Sequence, residues 1–199
     1  MFLAWNEIKH AKLRFTLIIG VMTLISYLVF FLVGLAYGLA MDNRTSVDKW
    51  DASGIVLTDE SNANINMSMM PRSLADDVDA DEVAILGQAP NVIRKEGETG
   101  EDDKINVTFF GIEKDQFLMP EVIDGEAFDE DYEVVVDISL QEEFGIEIGD
   151  VLKMAGSELE VKVVGFTEDA KFNVAPVLYT TVNTYQDVRF GQIDESEEG

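Results

Sequence analysis

The sequence predicts an α+β protein in which a single N-terminal transmembrane helix precedes a strand-rich, mixed extracytoplasmic domain. Three observations predict it. Phe15 to Ala40 is a run of 26 residues without a charged side chain. The charge divides sharply around that run: residues 1–14 carry +2, from Lys9, Lys12 and Arg14 against Glu7, so the net charge of −25 leaves −27 on the residues beyond them. Past the run, short Val/Ile-rich stretches alternate with Gly, Asp and Pro, the pattern of strands separated by turns.

A helix over 15–40 measures about 39 Å at 1.5 Å per residue, more than the ~30 Å hydrocarbon core, so it can cross a bilayer with tilt. The basic cluster in the 1–14 segment predicts a cytoplasmic N-terminus and an extracytoplasmic location for residues 41–199, because cytoplasmic flanks favour Lys and Arg. A cleaved signal peptide is the competing reading, since Ala36-Tyr37-Gly38 and Gly38-Leu39-Ala40 offer small residues at suitable spacing. The apolar run exceeds the usual signal core, which favours a retained helix. Along it, Thr16, Gly20, Thr23, Tyr27, Phe31, Gly34 and Gly38 recur at three- and four-residue steps and fall on one stripe. Small residues on one stripe let a second helix approach closely, so a helix-packing face is expected; the plainer alternative is a simple anchor containing common membrane glycines.

The extracytoplasmic part is expected to comprise a stalk and a first α/β portion over 41–120, a small β-rich portion over 121–186 and an acidic tail over 187–199. Strands are expected at Gly54–Leu57, Glu82–Gly87 and Ile105–Gly111, with a helix over Met67–Val78 led by Pro71. Lys95–Lys104 has no apolar residue and reads as an exposed loop. Glu133–Asp137 reads as a buried strand, Ile138–Phe144 as a helix stopped by Gly145, and Val151–Met154 as a strand. Leu159–Phe166 alternates as a half-exposed strand does, and Val177–Thr181 follows Pro176 as another.

Composition removes several functions. With 39 Asp+Glu against 14 Lys+Arg, nucleic acid is an improbable partner and anionic lipid headgroups are disfavoured. The chain has no Cys and one His, His10 in the predicted cytoplasmic segment, so the outer region cannot assemble a Ser-His-Asp or Cys-His centre. Neither GxxxxGK[ST] nor GxGxxG occurs. Asp77, Asp79 and Asp81 imitate the start of an EF-hand loop, but Glu82 and Gln88 occupy the places of its Gly and its bidentate Glu, so a weak adventitious Ca²⁺ contact is the lesser reading and a solvated acidic face the plainer one. Acidic neighbours such as Asp129, Glu130 and Asp131 arise by chance at this density. Met67, Met69 and Met70 could form a soft or apolar ligand surface, with core gap-filling the plainer role. The sequons at Asn43, Asn66 and Asn106 matter only in a glycosylating host. No catalytic residue, metal ligand or cofactor site is expected.

The opening, MFLAWNEIKHAKLRFTLIIGVMTLISYLVFFLVGLAYGLA, resembles the first segment of FtsX/MacB-like ABC transporter permeases, and within them the haem (hemin) exporter permeases of Gram-positive bacteria. Glu121 to Gln186 resembles their extracytoplasmic core through Gly125 before an acidic run, Val134–Val136, the Gly149-Asp150 pair, Val163–Gly165 and the Pro176–Tyr179 strand. The resemblance implies an incomplete MacB-like periplasmic core and roughly the first half of a permease, with further membrane helices outside this chain. It implies a non-enzymatic permease subunit, acting as a homodimer with a cytoplasmic ABC ATPase to export haem or a hydrophobic or peptide toxin. Residues 1–14 would lie near that ATPase, with Trp5, Ile8 and Leu13 as contacts to the membrane surface. Two alternatives belong to other classes: a force-relaying regulator of a cell-wall hydrolase or sensor, and a plain membrane-anchored acidic domain.

Overall fold

A computed structural model of the chain describes residues 11–42, 45–50, 52–98, 100–101 and 103–191, and these fall into two units, up to Met41 and from Asp42 onward. The first is helix α1, Lys12–Asp42, which contains the whole uncharged run. Its large side chains are exposed along its length, from Leu13 and Leu17 through Phe30 and Phe31 to Tyr37 and Leu39.

The second unit opens with a short helical turn, α2 (Thr45–Asp48), and then runs irregularly to residue 85 with only 3₁₀ turns, the longest at Arg72–Asp77. This corrects two expectations. Gly54–Leu57 forms no strand, and Ile55 and Val56 are exposed; Met67–Val78 forms no α-helix. A short apolar run becomes a strand only when a neighbouring strand accepts its backbone hydrogen bonds, and here none does.

The strands follow as β1 (Leu86–Lys95), β2 (Ile105–Ile112), β3 (Asp124–Gly125), β4 (Glu133–Asp137), β5 (Val151–Met154), β6 (Glu160–Thr167), β7 (Lys171–Phe172) and β8 (Ala175–Thr181). Helix α3 (Ser139–Phe144) follows β4 and stops at Gly145, which takes the left-handed conformation at φ 64°. Helix α4 (Val182–Phe190) follows β8 directly. Six strands pair in a closed circuit, β2–β1–β5–β6–β4–β8, which the parallel β8–β2 pairing completes; β3 joins β6 and β7 joins β8 at its margins. The ring draws its strands from both 86–112 and 133–181. β1 differs from the expected Glu82–Gly87 strand by starting only at Leu86 and running to Lys95 through Pro90. Pro removes a donor, but β5 pairs only with Ile93–Lys95, so at Pro90 β1 has β2 as its sole partner.

Alternate side chains sort to two cores. Ile93, Val107, Phe109, Val134, Val136, Leu152, Val161 and Leu178, drawn from all six ring strands, fill the interior. Phe110, Ile112, Val135, Val177 and Tyr179 point outward into a second core with Leu118, Phe128 and Ala170. Trp50 packs against that outer core, its ring centroid 5.7 Å from that of Phe110. β6 changes phase midway: opposite Val134/Val135 the register jumps from Val163 to Gly165, and after this bulge Phe166 returns to the interior, where strict alternation from Val163 would have put Gly165.

Glycine permits two close approaches. Gly87 and Gly111 face each other across β1 and β2, and a Cβ on either would stand 2.3 Å from Tyr185 of α4. The backbone of this strand pair is therefore the floor on which Tyr185 rests. Gly165 lies so near β3 that a Cβ would stand 2.4 Å from the Glu126 carbonyl oxygen.

Candidate functional site

In α1 the predicted packing residues share one face, as their spacing requires. Thr16, Gly20, Thr23, Tyr27, Gly34 and Gly38 all lie within the helix, and the Tyr27 and Phe31 rings stack at 6.2 Å with 18° between their planes. A Cβ added at Gly20, Gly34 or Gly38 would meet nothing within 4 Å, so the space over each of these glycines is open. Nineteen large apolar or aromatic side chains between Leu13 and Met41 are exposed. At about 1.5 kcal/mol each, leaving them in water would cost on the order of 30 kcal/mol, more than a domain's whole stability. Lipid, or other apolar helices, must cover them.

Where the second unit begins, the chain is tied to the ring's margin. Thr45 Oγ1 accepts from the Lys171 amide at 2.9 Å and donates to the Lys171 carbonyl at 3.3 Å. Lys49 Nζ donates to the Glu168 carbonyl at 2.5 Å, and Trp50 enters the outer core.

Two shallow grooves mark the surface of this unit. One, of about 280 Å³, lies beside the β1 end and the β5–β6 turn and includes Arg94, Lys95, Lys153 and Glu158. Its cations are already matched. Lys95 Nζ sits 2.6 Å from Asp150 and Lys153 Nζ 2.7 Å from Glu158. The bond to Asp150 holds the Lys95 ammonium above its ordinary pKa. Partial burial opposes ionisation of Asp150, but Lys95 and the Glu147 amide outweigh it and leave the carboxyl below its ordinary value. Asp150 also closes the turn before β5, accepting from the Glu147 amide at 2.8 Å, while Gly149 takes φ 94°. The Gly149-Asp150 mark is thus a turn device with an ion pair attached. The second groove, of about 210 Å³, is bordered by Lys104, Phe144, Lys171 and Val174.

The buried polar centre of the unit is Asp137, 2% exposed at the end of β4. Its Oδ1 accepts from the amide and hydroxyl of Ser139, which starts α3, and its Oδ2 accepts from the Ala170 amide at 2.7 Å. Every one of these donors is local or backbone, so Asp137 joins β4, α3 and the β6–β7 turn and serves as a structural carboxylate. Sequence reasoning passed over it; an Asp closing a Val-Val-Val strand, two residues before a helical Ser, is the signal that was there. Asp77, Asp79 and Asp81 are exposed, and among the described residues no three acidic or histidine side chains converge on a point. Met67 and Met69 are each 63% exposed and fill no core gap. His10, Trp5, Ile8 and Asn43 lie outside the described residues.

An apolar helix of spanning length leading into a strand ring with a packed interior defines a membrane-anchored α+β module. Residues 15–196 match the model of the MacB-like periplasmic core domain, and the chain belongs to that family, as its resemblance to FtsX/MacB-like ABC permeases implied. A Staphylococcus epidermidis protein named "Putative hemin transport system permease protein HrtB" is 26% identical over 173 residues, covering 87% of this chain and 47% of that protein. Its namesake in Staphylococcus haemolyticus is 23% identical over the same length and coverage. The chain therefore spans about half the length of these relatives. The periplasmic region of MacB from Actinobacillus actinomycetemcomitans aligns with a TM-score of 0.50 at 14% identity, over 68% of this chain and 65% of that one; the likeness is one of fold.

Proposed function

We propose that this chain is the leading part of an ABC exporter permease, with its N-terminus in the cytoplasm and residues 41–199 outside the membrane. The observation that carries the reading is the family match running unbroken from α1 through the ring. The names of the Staphylococcus relatives favour haem as the exported substrate. Against tight haem ligation outside the membrane stands chemistry: beyond His10 the chain has neither His nor Cys, the commoner axial ligands. Haem would then be held within the membrane helices or only in passing. A separate cytoplasmic ATPase supplies the energy, and the permease acts as a dimer. Deleting the gene is expected to lower the haem concentration that arrests growth, and affinity purification of the encoded protein should recover an ABC ATPase. Unchanged haem tolerance with altered peptide-antibiotic resistance would reassign the substrate. Recovery of an extracellular hydrolase without any substrate phenotype would favour a force-relaying regulator.

The open stripe of α1 is, on this reading, the face that receives other membrane helices. Gly34→Ile and Gly38→Ile fill it with branched side chains while retaining apolarity. Both variants should still insert but lose helix association, read as lost disulfide crosslinking between engineered cysteine pairs on neighbouring helices. Crosslinking equal to the parent's would reduce α1 to an anchor.

A further inference from the structure

The β7–β8 hairpin combines three features that no structural role in the ring requires. Its two-residue turn, Asn173-Val174, has positive φ at both positions, 50° and 68°. That is the geometry of a type I′ hairpin turn, which calls for Asn and Gly, yet the second place holds a β-branched valine. Val174 gains no burial in return, being 46% exposed. Beside it the 210 Å³ groove sets the apolar faces of Phe144, Val174 and Pro176 between two lysines, Lys104 and Lys171, with Glu143 the one acid in the lining. Lys104 is shared with Glu101, while the Lys171 ammonium has no ion pair among the described residues. A net positive, apolar-tipped groove is out of character on a chain of net charge −25.

Its place along the chain supplies the occupant. Lys171 is bonded through its backbone to Thr45, three residues beyond the last residue of α1, a covalent reach of at most about 11 Å. Where α1 spans the bilayer, which is the reading proposed above, that reach holds Thr45 and the hairpin base close to the headgroup layer. We propose that the β7–β8 hairpin is a membrane-surface foot: Val174 and Phe144 enter the headgroup boundary, and Lys104 and Lys171 engage the phosphates of anionic lipids. The overall acidity confines such contact to this one place, since lysines near an anionic surface attract it while the rest of the domain is repelled.

The chain has no cysteine, so single-cysteine reporters need no background removal. The full chain carrying Val174→Cys, labelled with an environment-sensitive fluorophore, is placed in nanodiscs of phosphatidylcholine alone or mixed with phosphatidylglycerol, each bearing a headgroup-level nitroxide quencher. Ser157→Cys, on the exposed β5–β6 turn, is the reference; Leu28→Cys with a deep nitroxide reports whether α1 is in the bilayer. The Val174 label should be quenched at least twofold more than the Ser157 label, and more strongly in phosphatidylglycerol discs. Lys104→Gln with Lys171→Gln should remove that difference between lipids. Asn173→Cys supplies a second reporter on the same turn should Val174→Cys fold poorly. Quenching at Val174 and Asn173 no greater than at Ser157, with Leu28 quenched, overturns the foot alone. An unquenched Leu28 label overturns the spanning reading, and the foot with it.

Discussion

Gly165→Ala is expected to destabilise the outer unit by about 3 kcal/mol, the upper end of ordinary overpacking. The new methyl carbon would lie 2.4 Å from the Glu126 carbonyl oxygen and 3.1 Å from that of Asp124. Both obstacles are backbone, so no side-chain rotation can make room. β3 can retreat only by stretching its bonds to β6, in which the Ile123 amide donates to Phe166 at 2.8 Å and the Glu126 amide to Val164 at 3.0 Å. For a unit of this size the loss corresponds to a melting temperature lower by about 6–12 °C. Gly149→Ala is the informative control. Gly149, unlike Gly165, has positive φ, 94°, and faces open space, so only the conformational penalty of about 1–2 kcal/mol applies. Equal shifts for the two variants, measured by differential scanning calorimetry, would show that β3 does not press on Gly165.

Asp137→Ala should cost about 3–4 kcal/mol, because it strips the acceptor from the buried amides of Ser139 and Ala170 as well as from the Ser139 hydroxyl, and each orphaned donor costs about 1–3 kcal/mol. Asp137→Asn separates the two oxygens. An amide oriented to keep the oxygen facing Ser139 must turn its NH₂ toward the Ala170 amide, so this variant should fall between parent and alanine. Hydrogen exchange reads the difference by site: the Ala170 amide loses protection in both variants, the Ser139 amide only in alanine. Loss of protection spread evenly through the ring would instead mean that Asp137 does not hold the β6–β7 turn.

The strands legible in the sequence are those whose own residues settle the matter. Val134–Val136 is apolar without interruption and Leu159–Val163 alternates cleanly; both appear where expected. β1 was obscured because Pro90, Asn91 and Arg94 are poor strand residues whose places are tolerable only given β2 on one side and a late-arriving β5 on the other. α4 was obscured because Val182, Thr184 and Val188 are indifferent helix formers. Its support is tertiary: Thr181 caps it, the Tyr132 amide donates to Thr184 Oγ1 at 2.7 Å, and Tyr185 sits on Gly87 and Gly111. The closure of β2 on β8 joins residues near 110 to residues near 179 and leaves no local trace at all. The family marks fared differently. Gly125 and Gly165 were visible as letters in a pattern, and the structure turns them into one contact between two backbones. The proposed packing stripe was readable from spacing alone, whereas the lysine-flanked groove combines residues from three stretches of chain and could be seen only after folding.

A ring of six strands is too narrow to hold water once side chains fill it. Phe109, Val136, Leu152 and Leu178 are fully buried in its middle, so the ring is a plug and not a pipe. If the chain belongs to an exporter, as proposed above, its cargo cannot pass through the interior of this domain. The walls that guide it would then be outward surfaces, and the domain's own contribution would be to stand beside the route and move as one stiff piece.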